Sequence, residues 1–361
     1  MSTFGHETSE EQRHSNAWTN RFSTGYWLKA TEHDLDNALS SLTELAKPLS
    51  VDREFALQER NIIQREYDYR VAEWPFYKAH REIARALYGN GTLARSVIGT
   101  PHEIAQYDLD RAMTLHQQSH ILSTATLLIY GNTNKRRVEN ALGRLEAKED
   151  LFTIPTEKHW VENAKVLDSQ NLKIPNISED VFIYSKVIKL NDSDDTLRQK
   201  LLIKFAENVI DSTRPEGIAG PLRFEQFIAR SFSFDLENIG NEYVKIYFSA
   251  SPDDGSTSDD IETVFHTALS KTLSQGISTE TFDRVHARLS NQFTSILPRD
   301  RAKVNRDLIL EQLQYAEPIY ALSEQEGALK DITLADVNAF LKFLSSEGRE
   351  VTRKITKADN L

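Results

Sequence analysis

The sequence has 361 residues and a formal net charge of −11. The length predicts about two domains, and the charge argues against a broad nucleic-acid surface, since binding phosphates requires clustered Lys and Arg. There is no cysteine, which excludes disulfides, thiolate metal sites and cysteine nucleophiles. No apolar run approaches the ~18 residues of a membrane span, so we expect a soluble protein of the cytoplasm or periplasm. The first seven residues do not form a signal peptide, and we expect the chain to start inside a domain.

The first half of the chain mixes strand-like segments with amphipathic helices. In chain order the sequence predicts a hairpin over 16–28, helices over 34–49 and 51–70, a turn at 89–91, a helix from Thr100, a helix from Asp108 to about His120, a buried strand over 124–130 and a helix over about 134–147. Thr100 is a suitable N-cap, and Pro101 fits the first helical position.

The second half repeats this order of elements. The sequence predicts a strand over 181–190, a helix over 196–210, a short helix over 220–229, strands over 231–236 and 243–249, helices over 259–274 and 279–297, and a strand in the tail from Thr352. Between the halves, periodicity is lost and prolines appear. We therefore expect α+β domains over 1–150 and 176–361, joined by a linker over 151–175, each a mostly antiparallel sheet packed against helices.

Two carboxylates lie on one side of the predicted second helix. Glu59 and Glu66 are seven residues apart, and Phe55, Ile62 and Ile63 share their side at the spacing of a core-facing stripe. A buried, unpaired carboxylate is costly, so such a pair points to a metal, a basic partner or catalysis. The alternative is that the stripe is rotated and both carboxylates reach water.

Several segments, in this order, resemble motifs of the insulinase/pitrilysin zinc metallopeptidases, the inverted group that includes mitochondrial processing peptidase. They are Asn16-Ala17-Trp18-Thr19, Glu59-Arg60 with Glu66, Val97-Ile98-Gly99-Thr100-Pro101, Leu115-His116 through Asn132, and Leu222-Arg223. The resemblance covers essentially the whole chain and implies two similar α+β domains. It also implies peptides as ligands, with Asn16, Ala17, Trp18 and Thr19 forming an edge strand to which a peptide adds.

The resemblance further implies a zinc site. In the family, zinc is held by two histidines of H-x-x-E-H and by a glutamate that corresponds to Glu66, while Glu59 corresponds to a nearby acid that tunes the site. The glutamate inside H-x-x-E-H activates the zinc-bound water. In the second domain, Arg223 matches the arginine of an L-R-x-x-x-G-x-x-Y motif that helps to stabilise the oxyanion.

The sequence departs from the family pattern at two places. H-x-x-E-H is absent, and by family spacing it would fall roughly ten residues before Met1. In the second-domain motif, Phe227 stands for the glycine and Arg230 for the tyrosine. One carboxylate cannot hold zinc, so we expect an N-terminally incomplete first domain that binds no zinc, and a chain that is proteolytically inactive alone. Without zinc, Glu59 and Glu66 are expected to be partly protonated or paired with Arg60 or Arg65.

The histidines offer no replacement for the missing motif. His6 and His14 lie eight residues apart among acidic residues, a spacing that does not match the inverted motif. His116 and His120 have the i, i+4 spacing of a zinc helix, but no glutamate lies between them. We therefore expect His116 and His120 to be structural.

Three hypotheses about function stay open at this point. The chain derives from a zinc metallopeptidase and lacks its N-terminal region. Alternatively, it is a non-catalytic partner of a zinc-bearing homologue, or a homodimer, and serves as a peptide-binding scaffold through Asn16–Thr19. The third possibility is a degenerate product with no function of its own, which would expose sheet edges and apolar helix faces.

Overall fold

A computed structural model describes residues 14–143, 161, 170–214, 216–240, 242–315 and 317–358. Its helices are α1 (Leu35–Glu44), α2 (Arg53–Tyr67), α3 (Tyr77–Tyr88), α4 (Pro101–Ala105), α5 (Leu109–Ser119), α6 (Lys135–Leu142), α7 (Thr196–Ile210), α8 (Ser258–Gln275), α9 (Thr279–Thr294), α10 (Arg301–Gln314), α11 (Leu322–Leu329) and α12 (Leu334–Leu344). Its strands are β1 (Ser15–Thr19), β2 (Thr24–Leu28), β3 (Gln170–Ile174), β4 (Val181–Lys189), β5 (Ala229–Ile239), β6 (Tyr243–Pro252) and β7 (Arg349–Lys357). The predicted α+β class is confirmed.

The chain forms two compact units. The first unit takes Met1–Glu73 and Ser96–His159, and the second takes Trp74–Arg95 and Trp160–Leu361. The segment 74–95, which carries α3, therefore belongs with the second half of the chain. The predicted linker over 151–175 lies mostly outside the described residues, so the boundaries of that domain division stay a prediction.

The first unit contains the hairpin and the helices α1, α2, α4, α5 and α6. Strands β1 and β2 pair antiparallel, with Ser15 opposite Leu28 and Thr19 opposite Thr24, which confirms the predicted hairpin. The predicted helix starts are also confirmed. Thr100 and Glu103 form a capping box at α4, and the Asp108 carboxylate accepts from the backbone N–H of Arg111 at α5.

The predicted strand over 124–130 is wrong. Residues 125–130 have no regular secondary structure, and Leu127 and Tyr130 are exposed. An extended segment becomes a stable strand only when a neighbouring strand pairs with its backbone. Among the described residues of the first unit, the sheet consists of β1 and β2 alone, and neither pairs with this segment. Its high β-propensity is therefore not realised.

The second unit is built on a five-stranded sheet in the order β3-β7-β4-β6-β5. Neighbouring strands are antiparallel except β3 and β7, which are parallel. The predicted strand over 181–190 and the helix over 196–210 are confirmed, and the predicted tail strand is β7. The sequence did not predict β3 or helices α10, α11 and α12.

Helices cover both faces of this sheet at its centre. Along β4, Phe182, Tyr184 and Ile188 belong to the main core, which is shared with α7, α8 and α12. Because side chains alternate along a strand, Ile183 and Val187 point to the opposite face, and both are buried. Helix α3 lies there against β7 and β4. None of the helices in the described ranges is both long and apolar enough to cross a membrane.

Candidate functional site

The edge predicted to bind peptides is the strand β1. The backbone N–H of Asn20 donates to Ser23 O, and that of Lys29 donates to His14 O, so even-numbered residues of β1 exchange hydrogen bonds with β2. The N–H and C=O groups of Ala17 and Thr19 therefore point to the other edge. On that edge, the Asn16 side-chain oxygen accepts from the Ala17 N–H at 2.8 Å. Within the described sheet, β1 has β2 as its one neighbour, which leaves this edge without a strand partner.

The hairpin has one close approach between its two strands. Trp18 lies opposite Gly25, and a Cβ atom placed on Gly25 would come within 2.2 Å of the indole carbon Cζ2 of Trp18. The indole therefore lies directly over the glycine backbone, and only glycine leaves room for it. This contact fixes the conformation of Trp18 within the predicted peptide-binding segment.

Glu59 and Glu66 lie on one side of α2, and both are half-buried. The helix begins at Asp52, whose carboxylate accepts from the N–H groups of Glu54 and Phe55. Glu59 lines a small pocket of about 160 Å³ together with apolar residues of the same unit. Those residues are Leu49, Val51, Phe55, Ala56, Tyr107, Leu109, Ala112 and Met113.

The expected core-facing stripe on α2 is wrong in its second half. Ile62 and Ile63 are 44% and 38% exposed, whereas the buried residues of the helix are Ala56 and Tyr67. The two buried residues lie near opposite ends of the helix, and Ala56 lines the pocket described above. The carboxylate of Glu66 reaches water, since its side chain is 40% exposed, as the alternative interpretation predicted.

The cation beside Glu66 is Arg70. Its guanidinium lies 2.9 Å from the Glu66 carboxylate at the i, i+4 spacing, in a π-helical turn that continues α2 over Asp68–Ala72. A basic partner was expected, but at Arg60 or Arg65. The Arg60 guanidinium donates instead to the Asn61 side chain, although at a long 3.4 Å. The spacing from Glu66 to Arg70 was the signal that could have identified the partner.

The described residues do not fit a zinc site. Zinc in a peptidase needs three protein ligands and an open position for water. In the described part of the chain, no group of three or more His, Asp or Glu side chains converges on a point that could hold a metal ion. The Glu66 carboxylate is instead bound to a guanidinium, whose charge opposes a metal cation.

Arg223 lies in the second unit, in a π-helical turn over Gly220–Glu225, and its side chain is exposed. Its guanidinium donates to the backbone oxygen of Arg230 at 2.9 Å. Arg230 itself is surrounded by carboxylates, with Asp254 at 2.5 Å and Glu179 and Asp253 at 3.7 Å. Arg230 therefore serves as the centre of an ion-pair cluster at the position where the family pattern has a tyrosine.

Phe227, at the glycine position of that pattern, has a positive φ of 54°. This left-handed conformation costs little for glycine but is strained for a bulky side chain. Phe227 is 66% exposed and its neighbour in the turn, Phe224, is 55% exposed. Phe227 therefore holds a backbone conformation that favours glycine and adds an exposed aromatic ring close in sequence to that of Phe224.

His116 and His120 lie in the first unit and contact each other and the hairpin. Their rings stack with centroids 4.0 Å apart, and the Tyr26 hydroxyl lies 2.7 Å from His120 Nε2. The predicted site residues are thus divided, with Asn16–Thr19, Glu59 and Glu66 in the first unit and Arg223 in the second. The contact between Tyr26 and His120 spans 94 positions, and no local pattern in the sequence could have revealed it.

No protein-family model matches the sequence, and no curated protein matches it. Solved structures match at the level of the fold. A protease from Helicobacter pylori matches with a TM-score of 0.76 at 16% identity, over 96% of this chain and 83% of that chain. The inactive domain of an M16 peptidase from Pseudomonas fluorescens matches with a TM-score of 0.73 at 11% identity, over 98% and 85%.

Pitrilysin also matches, with a TM-score of 0.69 at 17% identity, over 98% of this chain and 38% of that longer chain. These likenesses extend over nearly the whole sequence, as the order of the motifs predicted. The chain therefore has the fold of the M16-like peptidases, which is the insulinase/pitrilysin fold. Its sequence motifs resemble those of the same family.

Proposed function

We propose that this protein is a member of the insulinase/pitrilysin family that does not hydrolyse peptides by itself. The observation that carries the proposal is the ion pair between Glu66 and Arg70, at the position where the family has its third zinc ligand. The similarity to an inactive M16 domain is a similarity of fold, and it is compatible with a non-catalytic role. Membership rests on the ordered motifs together with that fold.

Zinc content and peptide cleavage test this proposal together. The purified chain is equilibrated with zinc, dialysed and measured by elemental analysis, then assayed with a mixture of fluorogenic peptides. We expect substoichiometric zinc and no cleavage above background. Glu66→Gln is the matched variant, and it should behave like the unmodified chain. Stoichiometric zinc and peptide cleavage that are both lost in Glu66→Gln would overturn the proposal.

We infer that the retained activity is peptide binding through the outer edge of β1, as in a scaffold or partner subunit. The supporting observation is the outward direction of the Ala17 and Thr19 backbone groups, which can pair with an extended peptide. The Asn16 side chain occupies the Ala17 N–H, so a peptide must displace it. A zinc-bearing homologue would then supply the catalytic centre, whereas a second copy of the chain would add only a second peptide-binding edge.

A proline substitution can test the outer edge of β1 without disturbing the pairing of β1 with β2. Ala17→Pro removes an outward N–H and leaves the hydrogen bonds to β2 in place. We expect this variant to bind extended fluorescent peptides about tenfold more weakly, because one backbone hydrogen bond to the peptide is lost. An anisotropy titration measures the affinity. Thr24→Pro, at the first residue of β2, is the matched control and should leave binding unchanged. Equal affinities for all three proteins would exclude binding at β1.

Asn16→Ala provides an independent check. Removing the side-chain oxygen frees the Ala17 N–H, so this variant should bind the same peptides at least as tightly as the unmodified chain. A clear loss of affinity would show that Asn16 itself contacts the peptide. Co-purification of the tagged chain with a zinc-bearing homologue, abolished by Ala17→Pro, would assign the partner-subunit role.

A further inference from the structure

The hairpin is joined to α5 through a histidine whose two ring nitrogens are both occupied. The Tyr26 hydroxyl in β2 lies 2.7 Å from His120 Nε2, and the Ser119 hydroxyl lies 3.0 Å from His120 Nδ1. Ser119 already donates its one proton to the carbonyl of Leu115 at 2.8 Å. His120 Nδ1 therefore carries the ring proton and donates to Ser119, and Tyr26 donates to the Nε2 lone pair.

The two ring nitrogens of His116 have different surroundings. The ring makes a hydrogen bond to the backbone of Leu45, just beyond α1, while its Nδ1 is buried with no hydrogen-bond partner. The bond to Leu45 must therefore come from Nε2–H. A second proton would have to sit on Nδ1, where no described acceptor reaches it. It would also place a charge against the His120 ring, 4.0 Å away and nearly parallel at 18°.

The surroundings of the pair disfavour charge on either ring. In the described part of the chain, the polar groups that face it are the Tyr26 hydroxyl from β2, the Leu45 backbone, the Ser119 hydroxyl and the His116 backbone. Burial lowers the pKa of both histidines, and His120 lowers the pKa of His116 further, while the backbone bonds oppose the shifts. Among the residues that the structure describes, no carboxylate contributes to the pKa of either ring.

We propose that His116 and His120 form an acid-sensitive latch that holds the β1–β2 hairpin on α5. In the neutral state His120 accepts from Tyr26, and His116 stacks against His120 and donates to Leu45. Protonation makes His120 Nε2 a donor, so the Tyr26 hydroxyl must turn its own proton away to keep the contact, and protonation of both rings places like charges 4.0 Å apart. Both changes weaken the hold of α5 on the hairpin. The inference concerns attachment of the hairpin and stands whether or not its edge binds a peptide.

The direction of the pH effect follows from linkage. The unfolded or released histidines have the ordinary pKa of 6.5, and the latched ones have a lower pKa, so the released state binds more protons. Latching is complete above pH 6.5 and weakens as the pH falls below it toward the latched-state values.

Hydrogen exchange in the full chain measures the latch. After correction for intrinsic exchange, amides of 14–28 should lose protection by about threefold or more between pH 7.5 and 5, whereas amides of β4 should not. His120→Gln keeps an acceptor for Tyr26 without titrating, and in the double variant with His116→Gln the protection should become independent of pH. His102→Gln, an exposed histidine of the same unit, is the control and should retain the wild-type response.

Two results would overturn the latch. One is equal pH dependence of the hairpin and β4 in the wild-type chain, and the other is an unchanged response in the double variant. If that variant does not fold, histidine NMR of the wild-type chain decides the question. The latch requires the two rings to titrate below 6.5 with hairpin amide shifts that follow the same curve. Titration at or above 6.5 would contradict it.

Discussion

The Arg70 guanidinium lies 2.9 Å from the Glu66 carboxylate, one turn further along the helix, and the two side chains are 70% and 40% exposed. An exposed i, i+4 pair contributes about 0.5 kcal/mol. We therefore expect Arg70→Gln to lower the free energy of unfolding in urea by less than about 1 kcal/mol. The freed Glu66 should still fail to retain zinc through dialysis.

Lys135→Gln is the control for this prediction, because it removes a comparable pair with Glu139 at 3.6 Å on α6. The two variants should unfold at similar urea concentrations. A loss of more than about 2 kcal/mol in Arg70→Gln alone would mean that Glu66 behaves as a buried charge. In that case the ion pair would be a structural requirement of the first unit.

Phe227 stores backbone strain that a glycine would remove. Its φ of 54° lies in the left-handed region, where a non-glycine residue costs roughly 1–2 kcal/mol. Phe227→Gly should therefore raise the free energy of unfolding by about 0.5–1 kcal/mol, after the entropy of the unfolded glycine is included. Urea denaturation followed by circular dichroism measures the change.

Phe224→Gly is the matched control for Phe227→Gly. Phe224 is similarly exposed and lies in the same turn, but it is absent from the residues with positive φ. Its replacement should destabilise the protein by up to about 1 kcal/mol, as glycine does in a helical position. If both variants lose stability equally, the strain assigned to Phe227 is not present in solution.

Gly25 should not tolerate a side chain. An added Cβ would meet the Trp18 indole at 2.2 Å, so Gly25→Ala must push the indole away from β2. We expect a loss of about 1–2 kcal/mol in hairpin stability, visible as faster amide exchange over 14–28. By contrast, Gly327 in α11 has no atom within 4 Å of an added Cβ. Gly327→Ala should stabilise the protein by up to about 1 kcal/mol.

Glu207 in α7 gives a pH-dependent effect in the second unit. Burial raises the pKa of its carboxyl group, the Leu236 N–H opposes this, and Asp235 and Asp211 raise the pKa further. The folded state therefore binds more protons, so the contribution of this group to stability is present at low pH and lost as the pH rises through the folded value. At neutral pH the charged carboxylate is destabilising.

Replacing this carboxylate tests the sign. Glu207→Gln should raise the free energy of unfolding by roughly 0.5 kcal/mol at pH 7 and have no effect below the ordinary glutamate pKa of 4.5. Glu347→Gln, at an exposed position, should change stability at neither pH. Urea titrations at the two pH values provide the comparison. A larger gain at the lower pH would contradict the sign of the shift.

Local signals in the sequence predicted much of the fold. Thr100 and Asp108 start helices because capping is decided within four residues of chain. The hairpin over 16–28 was also predictable from its many aromatic and Thr residues. The segment 124–130 was not, because its conformation depends on a neighbouring strand rather than on its own propensity.

The candidate site was less predictable than the fold. Glu59 and Glu66 do share one side of α2, but their exposure depends on which elements pack there. The pairing of Glu66 with Arg70 follows a simple spacing rule, whereas the link from Tyr26 to His120 joins distant parts of the chain. A contact such as that between Tyr26 and His120 forms only when β2 and α5 are folded and packed together.

The placement of α3 limits how the protein can be dissected. Helix α3 buries Ile83 and Leu87, and the Leu87 carbonyl accepts from the Arg349 guanidinium at 3.2 Å. A fragment that begins at residue 160 would lack this helix and open the Ile183 side of its sheet to water. A fragment ending at 150 would carry the helix without the sheet. Expressed as separate fragments, the two would have to associate before α3 could cover the sheet and the second unit could unfold cooperatively.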